Sequence, residues 1–536
     1  MSRSATLCYP PRPMSKPLVR RARTNTRPAP PARSDAPASS RAPAPKSTVP
    51  PSPPPLTIAF VTSELVPFVK AGGLADVSSA LPAHLVAAGH DVRVFVPLYQ
   101  SISWQAHGIR PVPEVQGVGV RLGEATYTFD LMTARMPGTS LDVYFVHCPP
   151  LYGRPGTYTS DPDEHRRFLL LGRAAIESMQ RLRIAPDIVH VHDWATAIVP
   201  LYLKTMYAWD QLFARTKTVL TIHNIGYQGT FGTEILKDLN PIGTHYFDGE
   251  DLRNGRVNLL KTGLVHAHEL TTVSPTYARE IQTPEYGYGL DGLLRMRSGE
   301  LTGILNGVDY SLWNPATDKH LAANYSPADL SGKAVNKAAL LNAVGLAPAA
   351  QAPVLGIVSR LAHQKGLDLL FDPLPTLLNR RDFRFVLLGS GEPKYEEYFG
   401  NLVSRYPGRV AFYSGHQEKL AHLIEAGADM FVMPSLYEPC GLNQMYSLKY
   451  GTIPVVRKTG GLADTVEMYN PSTGRGNGVV LDHFTAEGLQ WGLEAAMNLY
   501  QQPMHWRQMM LNGMSADFSW GVEGARYVAL YRRLVH

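Results

Sequence analysis

From residue 56 onward, short continuous apolar runs alternate with segments of helical period, a pattern that predicts parallel strands covered on both faces. Residues 56–62 (LTIAFVT) read as a buried strand, 74–88 as a helix stopping at Gly89, and 91–96 (DVRVFV) as the next strand. Further strands are predicted at 187–191, 218–222, 270–273 and 301–305, then at 354–359, 385–388, 430–433 and 453–456. Helical segments between them, such as 419–426, complete βαβ units. The class is α/β with doubly wound sheets. A turn-rich stretch over 306–315 separates two Rossmann-like halves, and the carboxyl edges of their sheets would face a deep cleft, where open α/β sheets bind ligands.

One motif occurs once in each half. Lys70-Ala-Gly-Gly-Leu-Ala-Asp76 returns as Lys458-Thr-Gly-Gly-Leu-Ala-Asp464, each between a strand and a helix start. Glycine permits close backbone approach, and a helix start offers unpaired N–H groups to an anion. Simple strand-to-helix turns would have the same spacing.

Charge changes the picture at the amino end. The 536 residues contain 51 Lys+Arg and 45 Asp+Glu, a net charge of +6. Residues 1–55 hold ten of those bases, one acid and 15 of the 43 prolines. The remaining 481 residues, with 41 bases and 44 acids, are slightly acidic. A segment so poor in apolar residues cannot offset its ordering entropy, so 1–55 is expected to be a disordered tail. It has no apolar core for a secretory signal; an extended start, a linker or a transit peptide remains open. Removing it should leave activity intact. The basic excess therefore does not argue for a nucleic-acid partner, and no apolar stretch long enough to span a bilayer argues for a membrane. Three scattered cysteines, Cys8, Cys148 and Cys440, exclude a disulfide framework and suit a reducing cytoplasm.

Candidate chemistry gathers at strand ends. Ser359-Arg360-Leu-Ala-His-Gln-Lys365-Gly follows the strand opening the second half, where Arg360 and Lys365 can clasp a diphosphate. Pro434-Ser-Leu-Tyr-Glu438-Pro-Cys440-Gly441-Leu puts a carboxylate on a loop entering a helix, able to accept from sugar hydroxyls; a purely structural carboxylate is the alternative. Cys440 lacks an evident base and reads as a buried thiol. His190-Val-His192-Asp193-Trp194 carries only a weak metal signal, and His192 is better read as a hydrogen-bonding group at a strand end. Gly389-Ser-Gly391 begins a dinucleotide fingerprint but lacks its third glycine, and no phosphate-binding Gly-Lys-Ser/Thr loop is present.

Together these motifs resemble bacterial glycogen synthases and plant starch synthases, retaining glycosyltransferases of the GT-B fold. The resemblance covers residues 56–536 and rests on Lys70-Ala-Gly-Gly-Leu, His192-Asp-Trp, Thr221-Ile-His-Asn224, Thr272-Val-Ser-Pro-Thr-Tyr-Ala-Arg-Glu280 and Asn306-Gly-Val-Asp, together with the Arg360, Glu438 and Lys458 motifs. It implies transfer of glucose from ADP-glucose to the non-reducing end of an α-1,4-glucan, without metal or cofactor, in the cytoplasm. The alternatives are a plastid starch synthase, a pyridoxal-phosphate-dependent phosphorylase, or a non-catalytic glucan-binding protein of the same fold. Carried over, His192, Glu438, Arg360, Lys365 and Asp163 would serve catalysis. Lys70, Gly72, Gly73, Asn258, Cys440, Gly441, Thr459, Gly460 and Gly461 would bind substrate. His416 stands where the family often has a tyrosine stacked on adenine, and Gly153 where it usually has aspartate. The resemblance also implies a domain division of 56–312 and 313–513, with 514–536, entered through Asp517-Phe-Ser-Trp520, crossing back as a helix to the first domain.

Overall fold

The computed structural model describes residues 54–536, and the expectations for the amino-terminal tail otherwise lie outside the described residues. Two sheets with parallel cores carry the fold. The first runs in space Leu301–Gly303, Glu269–Thr272, Lys217–Ile222, Ile188–His192, Thr57–Val61, Asp91–Pro97, Asp142–His147, Ala125–Arg135 and Arg110–Pro111, with Val118–Leu122 paired to Ala125–Arg135. The second runs Val410–Tyr413, Arg384–Leu388, Val354–Val358, Met430–Met433, Ile453–Arg457 and Val479–Leu481. Each predicted strand is present, its ends shifted by no more than a residue or two.

The second sheet has the order third, second, first, fourth, fifth, sixth along the chain. The chain reverses its direction of winding between Val354–Val358 and Met430–Met433. In the first sheet the corresponding point lies between Thr57–Val61 and Ile188–His192. A crevice opens at such points because the connections leave in opposite directions. The loops after these four strands are the ones that carry the Lys70, His192, Arg360 and Glu438 motifs.

Burial explains the strand composition. Ile188–His192 is buried at every position, as a central parallel strand requires. At the far edge the pattern alternates instead. Val118–Leu122 buries every second side chain, and Ala125–Arg135 pairs antiparallel with both Val118–Leu122 and Asp142–His147. This flap was not anticipated from the apolar runs, because only one of its faces is covered.

The Trp520–Val535 helix packs on the Gly73–Ala87 helix, and Tyr531 Oη lies 2.7 Å from His190 Nδ1. Arg533 adds an ion pair to Glu269 of the first sheet. The segment entering that helix is also tied to the first half, where Val308 N–H donates to Phe518 O at 2.7 Å. Among the described residues no helix is long and apolar enough to cross a membrane.

Candidate active site

The two loops at the second sheet's winding reversal meet through their charges. Lys365 Nζ lies 2.7 and 3.0 Å from the Glu438 carboxylate oxygens, and Ser435 Oγ donates to the same carboxylate at 2.9 Å. Both side chains are largely buried, so removing either would leave an uncompensated charge. Leu436 N–H donates to Gln364 O at 2.9 Å, zipping the loops together. Arg360 is different: it is exposed and pairs with no carboxylate among the described residues. The site thus holds a neutralised lysine–glutamate pair beside one uncommitted guanidinium. Gly389 and Gly391 serve this arrangement, since a Cβ on either would fall within 2.2 Å of the Ser359 or Leu361 carbonyl oxygen. That packing role accounts for the incomplete dinucleotide fingerprint.

The second glycine loop is a junction between the halves. Gly460 N–H reaches both Glu280 carboxylate oxygens at 3.1 Å, and Thr459 Oγ1 donates to Glu280 at 3.0 Å. Asp464 accepts from Thr276 N–H at 2.8 Å and Thr276 Oγ1 at 2.6 Å. Gly460 has a φ of +44°, and a Cβ there would sit 1.9 Å from Glu438 O. A Cβ on Gly461 would sit 2.0 Å from Cys440 O. Both glycines are required by the Glu438 loop passing over them.

Cys440 belongs to this contact. Its thiol accepts from Asn306 N–H at 3.4 Å and is buried, which raises its pKa above the ordinary thiol value. It joins the apolar core of the first sheet. Gly441, next along, takes a left-handed φ of +72°.

The first glycine loop has the same residues and another environment. Nothing lies within 4 Å of a Cβ built on Gly72 or Gly73. The Ala71 and Gly72 N–H groups donate to Glu64 Oε2 at 2.6 and 2.7 Å, and Tyr158 Oη donates to Glu64 Oε1 at 2.7 Å. Lys70 is half exposed and pairs with Asp76 at 2.8 Å. The space over Gly72 and Gly73 is therefore open, while the Ala71 and Gly72 amides are committed to Glu64 and Lys70 to Asp76.

His192 ends the neighbouring strand, fully buried against Phe60, with ring centroids 4.1 Å apart. Its Nδ1 lies 3.1 Å from His223 Nε2, while its Nε2 is buried without a partner. Burial, with His190 and His223 nearby, drives its pKa well below the usual imidazole value, and burial takes His223 down to about 3. Both rings are neutral at physiological pH, so one donates its proton to the other. His190 is not available to a metal: its nitrogens are taken by Thr221 at 2.6 Å and Tyr531 at 2.7 Å.

Asp193, the next residue, has a left-handed φ of +49°. It accepts from the His223 and Asn224 N–H groups at 2.7 and 3.3 Å, and burial pushes its carboxyl up to about 7. It fixes the loop after Lys217–Ile222, which reaches the second half. A Cβ on Gly226 would lie 3.1 Å from Tyr437 Oη, and the rings of Tyr288 and Tyr437 are 5.9 Å apart.

Three expected residues stand apart from these contacts. Asp163 binds Arg154 at 2.8 Å at the start of the Glu164–Arg181 helix. Asn258 caps the Leu259–His266 helix through Lys261 N–H at 2.9 Å and donates to Gln228 Oε1 at 2.6 Å. His416 is exposed on the loop before the Glu418–Gly427 helix. Glu64, Glu280 and Tyr437 were not singled out from sequence, and Asp193 entered only within the weak metal pattern. Asp193, Glu280 and Tyr437 lie within quoted motifs and Glu64 between the first strand and the Lys70 motif, but their partners are 7 to 180 residues away and no local spacing points to them.

Residues 57–296 match the family model described as the starch synthase catalytic domain, and residues 345–510 match that of glycosyl transferases group 1. The glycogen synthase of Myxococcus xanthus is 47% identical over 489 residues, covering 90% of this chain and 100% of the relative. That of Koribacter versatilis is 46% identical over 484 residues, covering 89% and 98%. Among solved structures, the catalytic domain of starch synthase IV from Arabidopsis thaliana bound to ADP and acarbose aligns with a TM-score of 0.83. It is 34% identical and covers 90% of this chain and 100% of that one.

Proposed function

The chain belongs to the glycogen and starch synthase family of GT-B glycosyltransferases, and we propose from that premise that it moves glucose from ADP-glucose to the non-reducing end of an α-1,4-glucan with retention of configuration. The observation that carries this reading is the pairing of Lys365 with Glu438 beside the uncommitted Arg360, at the winding reversal of the second sheet. The neighbour that holds ADP and acarbose supports the same donor and acceptor classes here.

The residues divide the work by charge. Breaking the sugar–phosphate bond leaves negative charge on the nucleoside diphosphate. Arg360 meets it with an unneutralised guanidinium, and Lys365 has a third N–H beyond the two held by Glu438. Glu438, oriented by Lys365 and Ser435, keeps lone pairs for the glucose hydroxyls. The first glycine loop offers Lys70, Gly72 and Gly73 to the donor from the facing half. The transferring sugar gains positive character, and here the neutrality of His192 matters: a cationic imidazole beside the anomeric carbon would oppose it. Retention follows if the acceptor hydroxyl attacks from the face the phosphate leaves, giving its proton to a phosphate oxygen. Asp163 would lie toward the glucan, Asn258 would hydrogen-bond the sugar, His416 would lie toward the base, and Thr459 with Gly460 and Gly461 would close the phosphate pocket. The domains 56–312 and 313–513, with 514–536 returning to the first, would close on the substrate in the cytoplasm.

The test is incubation with ADP-glucose or UDP-glucose plus a maltooligosaccharide, measuring nucleotide release and chain growth. ADP release with elongation is expected, and no release from either donor refutes the reading. Arg360→Ala should lower turnover at least about 100-fold with the fold retained, and Glu438→Gln should lower it as much with a loss of stability from the uncompensated Lys365; near-normal activity would remove that residue from the mechanism.

A further inference from the structure

A second cluster of chemically capable side chains lies outside the cleft contacts. His320, Glu418 and His422 each bring one ligand-type atom to within 4.8 Å of the others. Glu418 and His422 are one turn apart on the Glu418–Gly427 helix and so share a face. His320 comes from the irregular segment before the Ser331–Ala343 helix, and its Nε2 stands 4.0 Å from Glu418 Oε1.

The surroundings orient His422 as metal-binding histidines are oriented. Its Nδ1 is 2.8 Å from Asp318 Oδ2, and a carboxylate can only accept, so the ring proton sits on Nδ1 and the Nε2 lone pair is free. Asp318 is itself fixed by Tyr450 Oη at 2.6 Å and by His320 N–H at 2.9 Å. One carboxylate thus steadies both histidines, one through its ring and one through its backbone. Trp313 stacks flat on the His422 ring at 3.8 Å, with planes 6° apart, so the ring cannot turn away.

We propose that His320, Glu418 and His422 form a binding site for a divalent transition metal of the zinc class. Two imidazoles and one carboxylate suit zinc and its borderline neighbours; magnesium and calcium call for all-oxygen ligands, and copper(I) for sulfur. Three protein ligands leave a position for water. Closing ligand atoms from 4.8 Å to coordination spacing needs movement mainly of Glu418, whose side chain is 72% exposed and free to rotate. The ion would fasten the start of the Glu418–Gly427 helix to the segment that carries Asp318 and His320, independently of the transferase reaction.

The site is tested on the full untagged chain, stripped with chelator and titrated with Co²⁺ while its visible d–d absorption is followed, then challenged with Zn²⁺. One Co²⁺ per chain is expected, displaced by Zn²⁺, with Zn²⁺ raising the melting temperature by mass action. His320→Ala and Glu418→Ala each remove a ligand without touching the Asp318–His422–Tyr450 network. Each should weaken binding at least about tenfold and abolish the Zn²⁺-induced melting shift, with the metal-free melting temperature unchanged. Absence of stoichiometric binding by the unaltered chain, or binding by both variants as tight as that of the unaltered chain, overturns the proposal.

Discussion

Six of seven residues are shared between 70–76 and 458–464, yet the two loops use their glycines for opposite ends. At Gly72 and Gly73 the missing side chain leaves open space, and the Ala71 and Gly72 amides turn to Glu64. At Gly460 and Gly461 it is filled by the chain itself, where the Glu438–Cys440 backbone passes within contact distance. The terminal aspartates diverge likewise. Asp76 closes a local, half-exposed pair with Lys70, whereas Asp464 crosses to Thr276 in the other half. Identical residues thus make an open rim in one place and a fastening between halves in the other. A motif carries chemistry only through what approaches it.

The largest expected effect breaks the second loop. Gly461→Ala drives a Cβ into Cys440 O and must displace the Glu438 loop, so a stability loss of about 3 kcal/mol or more and loss of transfer activity are expected from denaturant melts and turnover assays. The matching Gly72→Ala meets no atom at a φ of −152°, and should leave the melting temperature within about 2 °C while lowering kcat/KM by about 10- to 100-fold. Equal effects in both assays for the two variants would erase the contrast.

Glu280→Gln probes the fastening more gently. Burial pushes the Glu280 carboxyl above its usual value, so the folded state holds its proton more tightly than the unfolded one. Its contribution is then fully present below the unfolded value of 4.5 and is lost as pH rises through the folded value. Melting curves should show Glu280→Gln gaining on the unaltered protein as pH rises from about 4.5; the opposite slope would mean that the contacts from Gly460 and Thr459 outweigh burial. The smallest effect belongs to the exposed pair: Asp76→Asn should change stability by no more than about 0.5 kcal/mol. A larger change would show that the first loop, too, is structurally fastened.

Much of this fold was legible because buried parallel strands advertise themselves. Met430–Met433 and Val354–Val358 are unbroken apolar runs, and their ends located Arg360 and Glu438 without any distance being known. The Ala125–Arg135 flap escaped because a strand with one solvated face alternates Thr126, Thr128 and Asp130 with Tyr127, Phe129 and Leu131, and no continuous run results. The site was legible in its parts and not in its joins. Lys365 and Glu438 were both singled out, but nothing in a spacing of 73 residues says that they neutralise each other. Asp193 drew attention only within a weak metal pattern, because a left-handed backbone at a non-glycine residue leaves no mark in sequence. The two glycine loops could not be told apart at all, since their difference lies in which backbone comes near.

The Trp520–Val535 helix lies against the first sheet but follows the entire second sheet in the chain. A ribosome therefore delivers the amino-terminal half long before the element that covers it. Until then the Gly73–Ala87 helix lacks its neighbour, His190 lacks Tyr531, and the seats of Tyr527 and Leu530 stand open to solvent. The half synthesised first is in this sense finished last, and the nascent chain must shelter an incomplete core while more than 200 further residues, those after Leu301–Gly303, emerge.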